Sequence, residues 1–237
     1  MSSLQYEAPL PFDYRVVRSR RRRTAAIQIK GNLVEVRVPH WVTDDWVSGF
    51  VRERQAWVAQ RLSIVVAQRD RHRLEVQDGA SLPYRGGWIR LHWQPGAASG
   101  CELSGDTLIV GLSRRIRRPE ATVAEEQVRG WLLDRAGEAL PARLRHLASQ
   151  TGLAPAGVAV RGFRRRWGSC DNRGRIALNW RLVLAEPGAA DYVLIHELCH
   201  LRHFDHSPRF WQLVAQHCPD HRYWQDYLRE RSCWLEW

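Results

Sequence analysis

Residues 189–210 read AADYVLIHELCHLRHFDHSPRF. His196 and His200 stand four apart, so on a helix they project from one face, one turn apart. Two neutral imidazoles placed in this way can hold one Zn²⁺. Glu197 lies roughly 100° further round such a helix, beside the metal position without being forced into it. A carboxylate there can take a proton from a zinc-bound water and pass it to a leaving group. This is the physical content of the H-E-x-x-H pattern. Leu194, Leu198 and Leu201 recur at i, i+4 and i+7, which predicts a helix from about Ala189 with its apolar stripe on the core and its His/Glu face on a cleft. Cys199, inside the motif, reads as a small packed side chain and not as a ligand.

A catalytic zinc usually keeps three protein ligands, and His203 and His206 are the downstream candidates. His203 is at i+7 from His196, so a continuing helix would set three ligands in a row, a poor tetrahedron. His206 is flanked by Asp205, Ser207 and Pro208, residues that end or restart helices. A chain leaving the helix after about Phe204 would fold His206 back onto the metal. His206 is therefore preferred as third ligand, with His203 as the alternative or a wall of the site. Two competing readings remain: a solvated surface helix whose histidines serve as hydrogen-bond donors, and a purely structural zinc, for which Glu197 would not be required.

The rest of the chain bounds these readings. Its 237 residues are 44% hydrophobic and 26% charged, ordinary for a globular protein. No run approaches the roughly 20 apolar residues of a membrane helix, and the start has no apolar segment behind a positive one, so no membrane partner and a cytoplasmic address are expected. Five widely spaced cysteines, with no C-x-x-C pair, argue against a disulfide framework and against a cysteine-type zinc ribbon. The net charge is +11, which raises nucleic acid as a partner. Yet Lys30 is the sole lysine, and the run Arg18-Ser19-Arg20-Arg21-Arg22-Arg23 also suits a solvated strand edge. Nothing in the sequence names an oligomeric state.

Residues 26–39 alternate apolar and polar on either side of Gly31-Asn32, a hairpin pattern. A helix follows from a cap at Thr43 or Asp44, with Trp46, Phe50, Trp57, Leu62 and Val65 at helical spacing. Strands return over 75–112. Pro119 opens a helical stretch to about Thr151, where Gly152 supplies a stop; Pro141 allows a kink or two helices. Two short strands, GVAVRGF and RIALNWRL, then flank a loop rich in glycine and arginine. The expected fold class is α+β: a strand-rich N-terminal region with one helix over 1–115, then a helical region over 116–237 with a small antiparallel sheet and the HExxH helix. The boundary is soft, and one compact unit is the alternative.

The C-terminal half resembles the YgjP-like metallopeptidase domain family, within the zincins. The resemblance rests on RRRWGSC (164–170) and on RIALNWRLVLAEPGAADYVLIHELCHLRHFDHSPRFW (175–211), with their order and spacing. More distantly, the layout is similar to SprT-type proteases, which are linked to DNA-bound protein substrates. The resemblance implies one zinc ion held by His196, His200 and His206, and Glu197 as general base of a peptidase acting on a peptide or protein. It implies that RIALNWRL is an edge strand onto which an extended substrate adds, and that the WGSC loop sits near the site. The His-x5-His spacing is shared with metzincins, but His203 stands where their glycine would, and Met1 is the only methionine, so no Met-turn exists. His203, Tyr192, Arg166, Arg202 and Asn179 are candidates for substrate or transition-state contacts. The alternative function is a basic nucleic-acid-associated protein with a secondary or vestigial zinc site, including a protease acting on DNA-bound proteins. A third reading is an interaction module built on Trp41, Trp46 and Trp57, most of which are expected in the core.

Overall fold

The computed structural model describes residues 9–30 and 33–237; the Gly31-Asn32 turn lies outside them. Among the described residues the architecture is mixed α/β, with three small sheets and six α-helices. Packing separates two compact units, Met1–His72 and Arg73–Trp237. The change from strand-rich to helix-rich sequence near residue 115 thus falls inside the second unit, where the strands over 81–112 share one core with the helices that follow.

The first unit pairs β1 (Tyr14–Ser19), β2 (Ala26–Lys30) and β3 (Leu33–Pro39) in the order β1-β3-β2. β2 meets β3 antiparallel, with Ala26 opposite Arg37 and Lys30 opposite Leu33, as the alternation predicts. β1 runs parallel to β3. Thr43 caps α1 (Asp44–Glu53), its hydroxyl accepting from the Trp46 amide at 3.3 Å. Arg54 leaves helical geometry, so the single helix expected here is two, the second being α2 (Gln55–Arg71). The buried stripe is Val47, Val51 and Val58, packed with Val34, Val36 and Val38. This corrects the reading of the tryptophans as core: Trp41, Trp46 and Trp57 are 69%, 49% and 53% exposed. Flat β-branched side chains fit between a helix and a three-stranded sheet, and the indoles at neighbouring positions are left on the outside.

The second unit opens with β4 (Ser81–Tyr84), β5 (Gly87–Pro95), β6 (Gly100–Ser104) and β7 (Thr107–Leu112), in the order β4-β5-β7-β6. α3 (Glu120–Thr151) is one continuous helix through Pro141, ended by Gly152 at φ 69. Its residues Ala124, Val128, Leu132, Ala136, Leu140 and Leu144 recur every fourth position and are all buried, the stripe that lets it lie along the core. β8 (Gly157–Arg161), β9 (Gly168–Cys170) and β10 (Arg175–Asn179) form the last sheet, in the order β8-β10-β9.

Two expectations change here. The sheet is mixed, because β8 pairs with β10 parallel and β9 pairs with it antiparallel. And β10, the start of RIALNWRL, is the central strand and not an edge, so both its ladders are already occupied; Trp180–Leu184 then turn as a 3-10 segment. The nearby edge belongs to β9, in the WGSC segment. The chain ends with α4 (Pro187–Cys199), α5 (Pro208–His217) and α6 (His221–Glu230). α4 is packed against α3, α5, α6, β9 and β10, and nine of its thirteen residues are buried, so it is the central helix of the unit rather than a surface one. Among the described residues, no helix is long and apolar enough to cross a membrane. All five cysteines are free.

Candidate metal centre

Pro187 occupies the first turn of α4, where its missing N–H costs nothing. Tyr192 and His196 follow on one face, and the helix ends at Cys199 with His200 at its C-cap. This is earlier than the break expected after Phe204. The amide of Leu201 bonds the Leu198 carbonyl, and those of Arg202 and His203 bond the Cys199 carbonyl, so the chain closes into a tight turn. His203 is thereby taken off the helical face. Its contribution is its main-chain carbonyl, which accepts from His200 Nδ1 at 3.0 Å. Ser207 and Pro208 then start α5, and His206, just before it, is carried back to α4.

The result is a three-imidazole cluster. One ring nitrogen from each of His196, His200 and His206 can be chosen so that all three lie within 4.8 Å of one another. Nε2 of His206 is 3.2 Å from Nε2 of His196. Two nitrogens on one tetrahedral zinc, at Zn–N of about 2.0–2.1 Å, would be about 3.3 Å apart. The bond from His200 Nδ1 to the His203 carbonyl puts the proton on Nδ1 and leaves Nε2 as a lone-pair donor, the arrangement that orients a ligating imidazole. Buried Nδ1 of His196 has no protein partner among the described residues. Burial, and the neighbouring His200 and His206, pull the His196 pKa down to about 3, so its ring is neutral near pH 7. Three convergent ring nitrogens, with the His196 ring neutral, fit a divalent metal.

The support beneath the cluster is aromatic. Phe210, fully buried on the first turn of α5, touches all three rings, with centroids 4.9 Å from His196, 4.6 Å from His200 and 4.9 Å from His206. Trp211 stacks on both His206 and His221. Neither aromatic stood out as part of the site in the sequence, where HSPRFW shows only a helix start. The signal available was spacing: Phe210 is four residues after His206.

Glu197 packs against Gly168 of β9. It is buried, and burial pushes its carboxyl up to about 8 against the opposing pull of Arg166. Its room comes from Gly168. A Cβ at that position would come within 2.7 Å of Oε1, so the WGSC segment forms the slot for this carboxylate. Tyr192 is buried, stands edge-on to His196 at 5.9 Å, and burial pushes its phenol up to about 12. Arg166 is exposed, with its guanidinium 5.3 Å from the Phe163 ring centroid. Arg202 is exposed in the turn after the helix.

Asn179, expected among the substrate contacts, sits as a structural clamp. It is fully buried, and its Nδ2 donates to the carbonyls of Phe163 and Arg166 at 2.8 and 2.9 Å while its Oδ1 accepts from the Arg181 amide. It holds the segment that leads into Gly168 and reaches the site only through it.

The sequence profile of the YgjP-like metallopeptidase domain matches residues 23–231. Among solved structures, the crystal structure of the metallopeptidase zymogen of Pyrococcus abyssi abylysin shares 25% identity, covering 38% of this chain and 90% of that one. Its TM-score is 0.35. The search of curated proteins returns no match.

Proposed function

The chain belongs to the YgjP-like metallopeptidase domain family, and from that premise we propose that it is a zinc-dependent peptidase in which His196, His200 and His206 hold one Zn²⁺ and Glu197 is the general base. The convergence of the three imidazoles carries this reading. Bound zinc would supply Lewis acidity at the scissile carbonyl and bring a water's pKa close to neutrality. Everything else falls to the chain. His200 is locked in one tautomer by the His203 carbonyl. Phe210 fixes the tilt of all three rings from below. Glu197, its proton affinity raised by burial, is suited to take a proton near pH 7 and return it to a leaving amine. The guanidinium of Arg166 keeps that affinity from rising further.

An extended peptide needs a strand edge beside this helix, and β9 supplies one where β10 does not. β9 also packs against α4. Peptide laid along it would pass the Gly168–Glu197 contact.

The test is metal content and turnover on the purified full chain. His196→Ala, His200→Ala and His206→Ala should each lose stoichiometric zinc. Glu197→Gln should keep zinc and lose peptide hydrolysis, and so hold substrate long enough to be identified from extract. Full zinc in all three histidine variants would sink the ligand set, and retained turnover in Glu197→Gln would remove the base.

A further inference from the structure

The first unit carries a groove of about 320 Å³ that the peptidase reading does not use. Its floor is the buried pair Pro39 and Val42, and its walls are Trp41 and Trp46, 69% and 49% exposed. Trp46 is stacked on Phe50 at 5.0 Å and 15°, and the Arg54 guanidinium lies 4.2 Å from the Phe50 ring centroid. A cation, a phenyl ring and an indole thus form a ladder that ends at the groove. Arg23 stands on the rim, in the connection between β1 and β2 that also carries Arg20 and Arg21. These three arginines are exposed, and among the described residues none is in an ion pair. Arg18, by contrast, is committed to the Val42 carbonyl and the Asp44 carboxylate, which ties down the groove's edge and neutralises Asp44.

We infer that this groove binds single-stranded nucleic acid, with bases stacked on Trp41 and Trp46 and the phosphate backbone running over Arg20, Arg21 and Arg23. Exposed indoles offer flat faces to any unpaired base, and guanidinium groups pair with phosphate in two-pronged geometry while also stacking on bases. A duplex keeps its bases stacked on each other and out of reach of the indoles. A membrane surface would also have to cover exposed Asp45 beside Trp46, whereas a strand can follow the arginines alone. The inference stands independently of the metal centre.

The experiment is fluorescence anisotropy of a labelled thymidine oligonucleotide with the full chain, from about 50 to about 200 mM salt. Wild type should bind, with affinity falling steeply as salt rises. Trp41→Ala/Trp46→Ala should weaken binding about ten-fold or more at fixed salt with the salt slope kept. Arg20→Gln/Arg21→Gln/Arg23→Gln should flatten that slope. The indoles are surface groups, so a wild-type melting profile is expected; Trp41→Ala alone, at the more exposed ring, repeats the reading if the double variant melts early. Four results overturn the inference: no binding at about 50 mM salt, unchanged affinity without the indoles, equal affinity for duplex, or binding to phosphatidylserine vesicles in place of the oligonucleotide.

Discussion

Gly168 leaves no room for a side chain beneath Glu197: a methyl group built on its Cα would lie 2.7 Å from Oε1, 2.8 Å from Cγ and 3.0 Å from Cδ of that residue. Real Cβ contacts are longer, so Gly168→Ala must push the carboxylate aside. Displacing a reacting group by a fraction of an ångström to one ångström costs about 10- to 100-fold in rate. Gly168→Ala should therefore lower kcat by that order while leaving zinc content intact, because the atoms the new methyl group meets most closely all belong to Glu197. Shortening the base by one methylene relieves the clash, so Glu197→Asp placed in the Gly168→Ala background should recover part of the loss. Wild-type kcat in Gly168→Ala, beside an inactive Glu197→Gln, would leave the base in place and dismiss the slot.

His203 supplies a carbonyl and not a ring to the metal centre. His203→Ala keeps that carbonyl, so it should retain zinc and most of its activity. His200→Ala removes the partner of that same bond and should lose both. Zinc loss in His203→Ala, measured by elemental analysis at equal protein concentration, would return its imidazole to the ligand set.

Burial sets opposite pH dependences on the metal-free protein. The Glu197 carboxyl is pushed up to about 8 from an ordinary 4.5. Between those values the folded chain keeps a proton that the unfolded chain has released, so stability falls as pH rises through that window. His196, pulled down to about 3 from 6.5, stays neutral where the unfolded chain binds a proton, so its contribution is lost as pH falls below 6.5. Glu197→Gln removes only the first effect. With chelator present, its Tm should match wild type at pH 4 and exceed it by several degrees or more at pH 8, since a tenfold difference in proton affinity between folded and unfolded chain is worth about 1.4 kcal/mol. Parallel Tm curves for the two proteins across that range would contradict the buried carboxyl.

What could be read from the sequence divides along the range of the interactions. Spacing within one helix places His196, Glu197 and His200 together, because i and i+4 are neighbours whatever surrounds them. The strand alternation of 26–39 is local in the same sense. The failures are tertiary. Whether RIALNWRL is edge or centre depends on where β8 and β9 dock, and no periodicity in β10 records that. Trp46 and Trp57 have helical spacing, and so do Val47, Val51 and Val58; which stripe faces in is decided by the narrow valine face of β3. Gly168 and Glu197 are 29 positions apart in sequence, and a close approach over that separation leaves only a glycine as its trace.

Asn179 shows how the clamp outside the site governs the slot within it. Its amide bridges the carbonyls of Phe163 and Arg166, and the Trp167 carbonyl accepts from its main-chain N–H at 2.8 Å. Asn179→Ala keeps the main-chain bond and deletes the side-chain bonds, stranding the two carbonyls and the Arg181 amide that the buried side chain had satisfied. Such a loss costs about 1–3 kcal/mol, so Tm should fall by several degrees. The freed segment leads directly into Trp167 and Gly168, the wall of the Glu197 slot, whereas the histidine cluster is supported from α5. The variant should therefore keep its zinc while kcat drops. Asn179→Asp retains the acceptor to the Arg181 amide but replaces the donors with a buried charge, so it should be worse than alanine and not better. A rise in Tm for Asn179→Asp, or zinc loss in Asn179→Ala, would mean that the clamp and the metal centre are coupled in some other way.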